Sequence, residues 1–143
     1  MPSAWGSIPG SSWFLAVLAE LYGKSGQIAE GLRAMAEARA YINHTEEVYY
    51  EAEVHRLTGE LLLMQGRSET AAEARLLQAL EVARRQSAKS WELRAATSLN
   101  RLWQQQGERA KARELLTPIY GWFTEGFDTA DLQDAKALLE ELI

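Results

Sequence analysis

The sequence predicts an all-α protein: three helix pairs stacked side by side, with a seventh helix closing the stack. Three observations predict it. No proline lies between Pro9 and Pro118, and that stretch is rich in Ala, Leu, Glu, Arg and Gln, the residues that lose least on entering a helix. Three similar glycine turns, KSGQ at 24–27, MQGR at 64–67 and QQGE at 105–108, recur with Gly26, Gly66 and Gly107 spaced 40 and 41 residues apart. Apolar residues return every three or four positions before and after each glycine, whereas β-branched residues are scattered and no alternating run marks a strand.

The elements follow in order. Residues 1–11 read as a flexible leader. The first unit, about 12–45, pairs a helix over 12–24 with one over 28–42. Trp13, Phe14, Val17, Leu18, Leu21 and Tyr22 form the expected apolar stripe of the first helix, and Leu32, Met35, Ala36 and Ala38 that of the second. The second unit, about 50–88, sets Val54, Leu57, Leu61 and Leu62 against Ala72, Leu76, Leu80 and Ala83. The third, about 90–124, sets Leu93, Ala96, Leu99, Leu102 and Trp103 against Ala112, Leu115, Leu116, Ile119 and Trp122. Each turn glycine accepts a positive φ at the end of the first helix of its pair. The capping helix, 129–143, starts at Asp128 or Thr129 and carries Leu132, Ala135, Leu138, Leu139 and Leu142 at helical spacing. A stack of helix pairs leaves its last apolar face bare, and such a helix covers it.

Composition narrows the function. With no cysteine among 143 residues, disulfides, zinc–thiolate sites and thiol catalysis are excluded. No apolar run approaches the ~20 residues of a membrane span, and the first residues lack the basic and apolar blocks of a secretory signal. A cytoplasmic protein with no membrane partner is the simplest expectation. Net charge is −4 over residues 1–66, +5 over 67–113 and −6 over 114–143. The basic middle third fits either an acidic partner or complementary neighbouring helices. It is too weakly charged, and too poor in aromatics beside its basic residues, for nucleic acid.

At the helix pairs the chain resembles the tetratricopeptide family. The matching residues are Leu15, Leu18, Ala19, Tyr22, Gly26, Gly31, Met35 and Ala38 in unit one. They are Gly59, Leu62, Gly66, Ala72, Leu76 and Ala79 in unit two, and Leu99, Trp103, Gly107, Ala112 and Leu116 in unit three. The resemblance implies a right-handed antiparallel helix-pair solenoid. It departs from the family in its 40-residue period, and in His55, Thr58, Asn100 and Ile119, which stand where other residue types are usual. Residues 84–142 also resemble the C-terminal repeat segment of large bacterial proteins that join an ATPase module to a nucleotide cyclase or transcription-regulator module. That likeness implies a regulatory role, such as sensing an effector or holding assemblies together. The chain itself carries no phosphate-loop motif.

The resemblance places a site on the concave face lined by the first helix of each pair. Carried onto this sequence, that face holds Trp13, Ala16 and Glu20, then Glu53, Arg56, Glu60 and Met64, then Arg94, Thr97, Arg101 and Gln105. Arg56, Arg94 and Arg101 could fork onto the carboxylates of an acidic peptide. Alternatively they pair with Glu20, Glu53 and Glu60 across adjacent helices. The cation-and-amide set that chaperone-tail-binding relatives use is not reproduced.

Catalytic chemistry has little support. His44 and His55 stand eleven residues apart, without metal-ligand spacing, so no metal and no cofactor is expected. Glu46, Glu47, Glu51 and Glu53 suit the first turn of a helix. Trp103 and Trp122 are expected in the core, Trp13 and Trp91 as staples between units, Trp5 in the leader, and the segment 120–123 as a joint for the last helix. The expectation is therefore a non-catalytic module that binds a protein segment. The alternatives are an effector-sensing arm and a homodimer through the N-terminal end of the stack.

Overall fold

The computed structural model describes residues 11–44 and 50–142. Among these residues it is all-helical, without strands. The helices are α1 (Ser11–Lys24), α2 (Ile28–His44), α3 (Glu51–Gln65), α4 (Glu69–Arg85), α5 (Lys89–Gln105), α6 (Arg109–Gly121) and α7 (Ala130–Glu141). No described helix is long and apolar enough to cross a membrane. The leader, Trp5, Glu46 and Glu47 lie outside the described residues, as do the side chains of Trp13, Phe14 and His44.

The turns are chemically specified. Gly26, Gly66 and Gly107 have φ of +82°, +74° and +82°. At the first and third turns the chain closes with a pair of reversed bonds. Gln27 N–H donates to the Tyr22 carbonyl (2.7 Å) and Gly26 N–H to that of Gly23, while Glu108 N–H donates to Trp103 (2.7 Å) and Gly107 N–H to Gln104. These bonds satisfy carbonyls that a helix end otherwise leaves open. Ser87 makes the same closure between α4 and α5 at φ +54°, without a glycine. Ser68 caps α4 by accepting from Ala71 N–H at 3.1 Å. Of the two cap candidates for the last helix, Thr129 serves, accepting from Leu132 N–H.

Successive helices pack in pairs, α1 on α2, α3 on α4 and α5 on α6, and the odd-numbered helices also touch in a row, α1 to α3, α3 to α5 and α5 to α7. A helical solenoid is compatible with this arrangement. Two apolar cores fill it. One joins Leu15, Ala19, Met35, Ala38, Val54 and Leu61 across α1, α2 and α3. The other runs from Leu76 and Leu80 of α4 through Leu93, Leu99 and Trp103 of α5 to Leu116 of α6 and Leu132 and Leu138 of α7. Trp91 packs on Ala52, Val82 and Ala83 and meets Tyr50 edge-on, so it does staple units two and three.

Close approach between helices depends on small residues. A Cβ added at Gly59 of α3 would stand 2.8 Å from Leu76 Cδ2 and 3.2 Å from the Ala72 carbonyl oxygen, so only glycine lets α3 and α4 come this near.

Three side-chain expectations are corrected. The buried face of α1 is Leu15, Ala16 and Ala19, while Val17 and Leu21 are 38% and 58% exposed. Among the described side chains the stripe is rotated: Leu15 fills the core, and the small Ala16 and Ala19 let the neighbouring helices come close. Ala36 of α2 is likewise exposed. Trp122 is 57% exposed rather than core. Helix α6 ends at Gly121, and Trp122 lies outside it, edge-on to Phe123 and beneath the Lys89 ammonium. Tyr120 and Phe123 do pack on the core next to α7.

Candidate functional site

Adjoining hollows run along the face formed by α1, α3, α5 and α7. One of about 140 Å³ lies between α1 and α3, floored by Leu57 and Leu61 and edged by Glu20, Lys24, Glu60 and Met64. One of about 160 Å³ takes in Ala16, Val17, Glu53, Trp91 and Arg94. One of about 130 Å³ is walled by Arg56, Thr97, Ser98, Arg101, Asp131 and Asp134. One of about 260 Å³ lies between α3 and α5, edged by Glu60, Met64, Leu102 and Gln105. Neighbouring hollows share lining residues: Glu20 and Leu57, Glu20 and Arg94, Ser98 and Arg101, Glu60 and Met64. They adjoin one another along this face, here called the channel.

Of the eleven residues named from the sequence, Ala16, Glu20, Glu53, Arg56, Glu60, Met64, Arg94, Thr97, Arg101 and Gln105 line these hollows, and the side chain of Trp13 lies outside the described residues. Their electrostatics are largely settled within the chain. Glu53, 7% exposed, receives two bonds from Arg56, Nη2 at 2.7 Å and Nε at 3.0 Å. It receives two more from Arg94, the shorter from Nη2 at 2.8 Å. The other end of Arg94 donates to Asp131 at 3.0 Å, and Arg56 Nη1 donates to Ser98 Oγ at 3.3 Å. Arg101 stands 3.5 Å from Asp134, and Glu20 stands 3.8 Å from Lys24 and 4.0 Å from Arg56. Thr97 bonds back to the Leu93 carbonyl.

Burial by itself raises the pKa of the Glu53 carboxyl. The hydrogen bonds and charges of Arg56 and Arg94 outweigh it and hold the group below its ordinary value of 4.5. A depressed carboxyl pKa stabilises the fold above pH 4.5, and that contribution is lost as pH falls through the lower folded value.

Ser98, Asp131 and Asp134 belong to the face and were missed from the sequence. A signal for the two aspartates does exist: they stand three apart on α7, opposite arginines seven apart on α5. No protein-family model matches the chain. No curated protein and no solved structure matches it either.

His55 lies away from the channel. It is 2% exposed. Arg75 Nη1 lies 3.3 Å from its Nδ1, and Glu51 Oε2 lies 3.5 Å from its Nε2. A neutral ring with the proton on Nε2 satisfies both neighbours. Burial and then the Arg75 charge hold the imidazole below its ordinary 6.5; Arg39 adds to this and Glu51 opposes it. Below pH 6.5 the unfolded chain therefore binds a proton that the folded chain resists, so stability falls with pH by up to about 1.4 kcal/mol per unit. Melting temperatures between pH 7.5 and 5.5 are expected to slope downward, and His55→Gln to flatten that slope. An unchanged slope would place the acid sensitivity elsewhere.

Proposed function

We propose that this chain is a non-catalytic protein-interaction module of tetratricopeptide type that takes a peptide or helix along the channel of α1, α3, α5 and α7. The observation that carries the reading is the row of adjoining hollows across four helices. Each is smaller than the ~300–1,000 Å³ of a typical small-molecule pocket, yet together they form a track. That shape favours an extended or helical segment over a compact effector, and so over the reading of an effector-sensing arm of an ATPase or cyclase assembly. Met64, 51% exposed at the junction of two hollows, supplies an adaptable apolar contact. Exposed Val17 and Leu21, one turn apart on α1, favour homodimerisation through the N-terminal end as a second reading.

A test must leave the buried ion network intact. Arg56 and Arg94 hold Glu53, so changing them confuses binding with folding. Met64 and Gln105 are exposed, uncharged and outside that network. Peptides selected from a random twelve-residue display library against the full chain are expected to lose at least about tenfold in affinity for Met64→Ser and Gln105→Trp. They should retain affinity for Leu77→Asp, an exposed position on α4. Peptides indifferent to both channel variants would sink the proposal. Sedimentation of the same samples tests the second reading: a dimer abolished by Leu21→Glu supports it, and a monomer at all concentrations refutes it.

A further inference from the structure

The cations on the channel are already matched. Arg56 and Arg94 share Glu53, Arg94 also holds Asp131, Arg101 faces Asp134, and Lys24 lies by Glu20. An acidic segment would have to break these pairs. Glu60 is the exception among the charges lining these hollows: its carboxylate has no ion pair or hydrogen bond among the described residues. Half-buried on α3, it lines both the α1/α3 and the α3/α5 hollow, one helical turn from Met64, which lines the same two. Beside them lie the apolar side chains of Leu57 and Leu61 on one side and Leu63 and Leu102 on the other. The channel therefore presents one unmatched negative charge beside one exposed apolar contact at the meeting point of two hollows.

From this we infer that the partner segment is basic and amphipathic, placing a lysine or arginine on Glu60 and a bulky apolar side chain against Met64. Residues three or four apart on a partner helix reach both, since such pairs stand about 5–6 Å apart. A charge-assisted hydrogen bond in a half-buried setting discriminates more strongly than one in open water. The long, flexible Met64 accepts apolar side chains of several shapes. The inference rests on the channel being the binding surface.

The same twelve-residue library separates the two claims. The expected result is enrichment of Lys or Arg three or four positions from Leu, Ile, Met or Phe. Affinity should fall about tenfold for Glu60→Gln, fall further for Glu60→Lys, and weaken as salt rises. Glu125→Gln, on the loop after α6, should leave affinity unchanged, and circular dichroism should show every variant folded. Peptides that bind through Met64 and Gln105 but are neutral or acidic, and indifferent to Glu60→Gln, would overturn the basic-partner inference and leave the channel standing. Peptides indifferent to Met64→Ser and Gln105→Trp as well would remove both.

Discussion

Replacing Glu53 with alanine is expected to cost about 3 kcal/mol of folding stability, because it leaves the buried Arg56 guanidinium without its hydrogen-bonded carboxylate and Arg94 with Asp131 alone. Glu53 accepts from Arg56 and from Arg94, and Arg56 is itself only 8% exposed. Alanine removes all of these bonds and cannot replace the charge. Glu53→Gln keeps the volume and one acceptor, and should fall between native and alanine. A double variant, Glu53→Met with Arg56→Leu, should recover part of the loss, since Arg94 then keeps Asp131 and two apolar side chains replace a buried pair. Urea unfolding at pH 7 measures all three. A Glu53→Ala loss below about 1 kcal/mol would mean that the network is solvated and contributes no more than an exposed surface pair.

Truncating Leu76 to alanine is expected to cost about 3–5 kcal/mol, since this fully buried side chain belongs to the larger core and leaves a void when removed. Its coupling to Gly59 is more diagnostic than its size. Gly59→Ala alone should be destabilising: the gain of up to ~1 kcal/mol in helix propensity is outweighed by a Cβ 2.8 Å from Leu76 Cδ2 and 2.9 Å from Cγ. In the Leu76→Ala background the leucine contact is gone and only the 3.2 Å approach to the Ala72 carbonyl oxygen remains, so Gly59→Ala should cost less or become neutral. The double-mutant cycle should show non-additivity of about 1–2 kcal/mol. Additive losses would mean that α3 and α4 are not held at this separation.

The helix pairs were legible because their signals are local. A glycine at positive φ, a run without proline and a three-to-four-residue apolar period all act within one or two turns of chain. The α1 stripe was misread because the sequence weights bulky residues, whereas α1 packs through Ala16 and Ala19. A Cβ on Gly31 would come within 3.1 Å of the Ala19 carbonyl oxygen, an approach that no hydrophobic period announces. Trp122 was misread because helical spacing was carried past the point where α6 ends. The residues named for the face fall on one side of the stack, since the side of a helix follows from its period. Their partners were not legible. Arg94 finds Glu53 41 residues away and Asp131 37 residues away, and only the packing of α3, α5 and α7 brings them together. The sequence left open whether the arginines faced an acidic partner or Glu20, Glu53 and Glu60 of adjacent helices; in the fold Arg56 and Arg94 take Glu53 and Arg101 takes Asp134.

The most direct test of the account is a map of amide chemical-shift changes on the full chain as a library-selected peptide is added. The account predicts changes concentrated on the inner positions of α1, α3, α5 and α7, centred on Glu60, Met64, Thr97, Arg101 and Gln105. The outer faces of α2, α4 and α6 should be silent. Changes centred instead on Trp122 and Phe127, on the outer faces, or on Leu21 alone would contradict the channel as the binding surface.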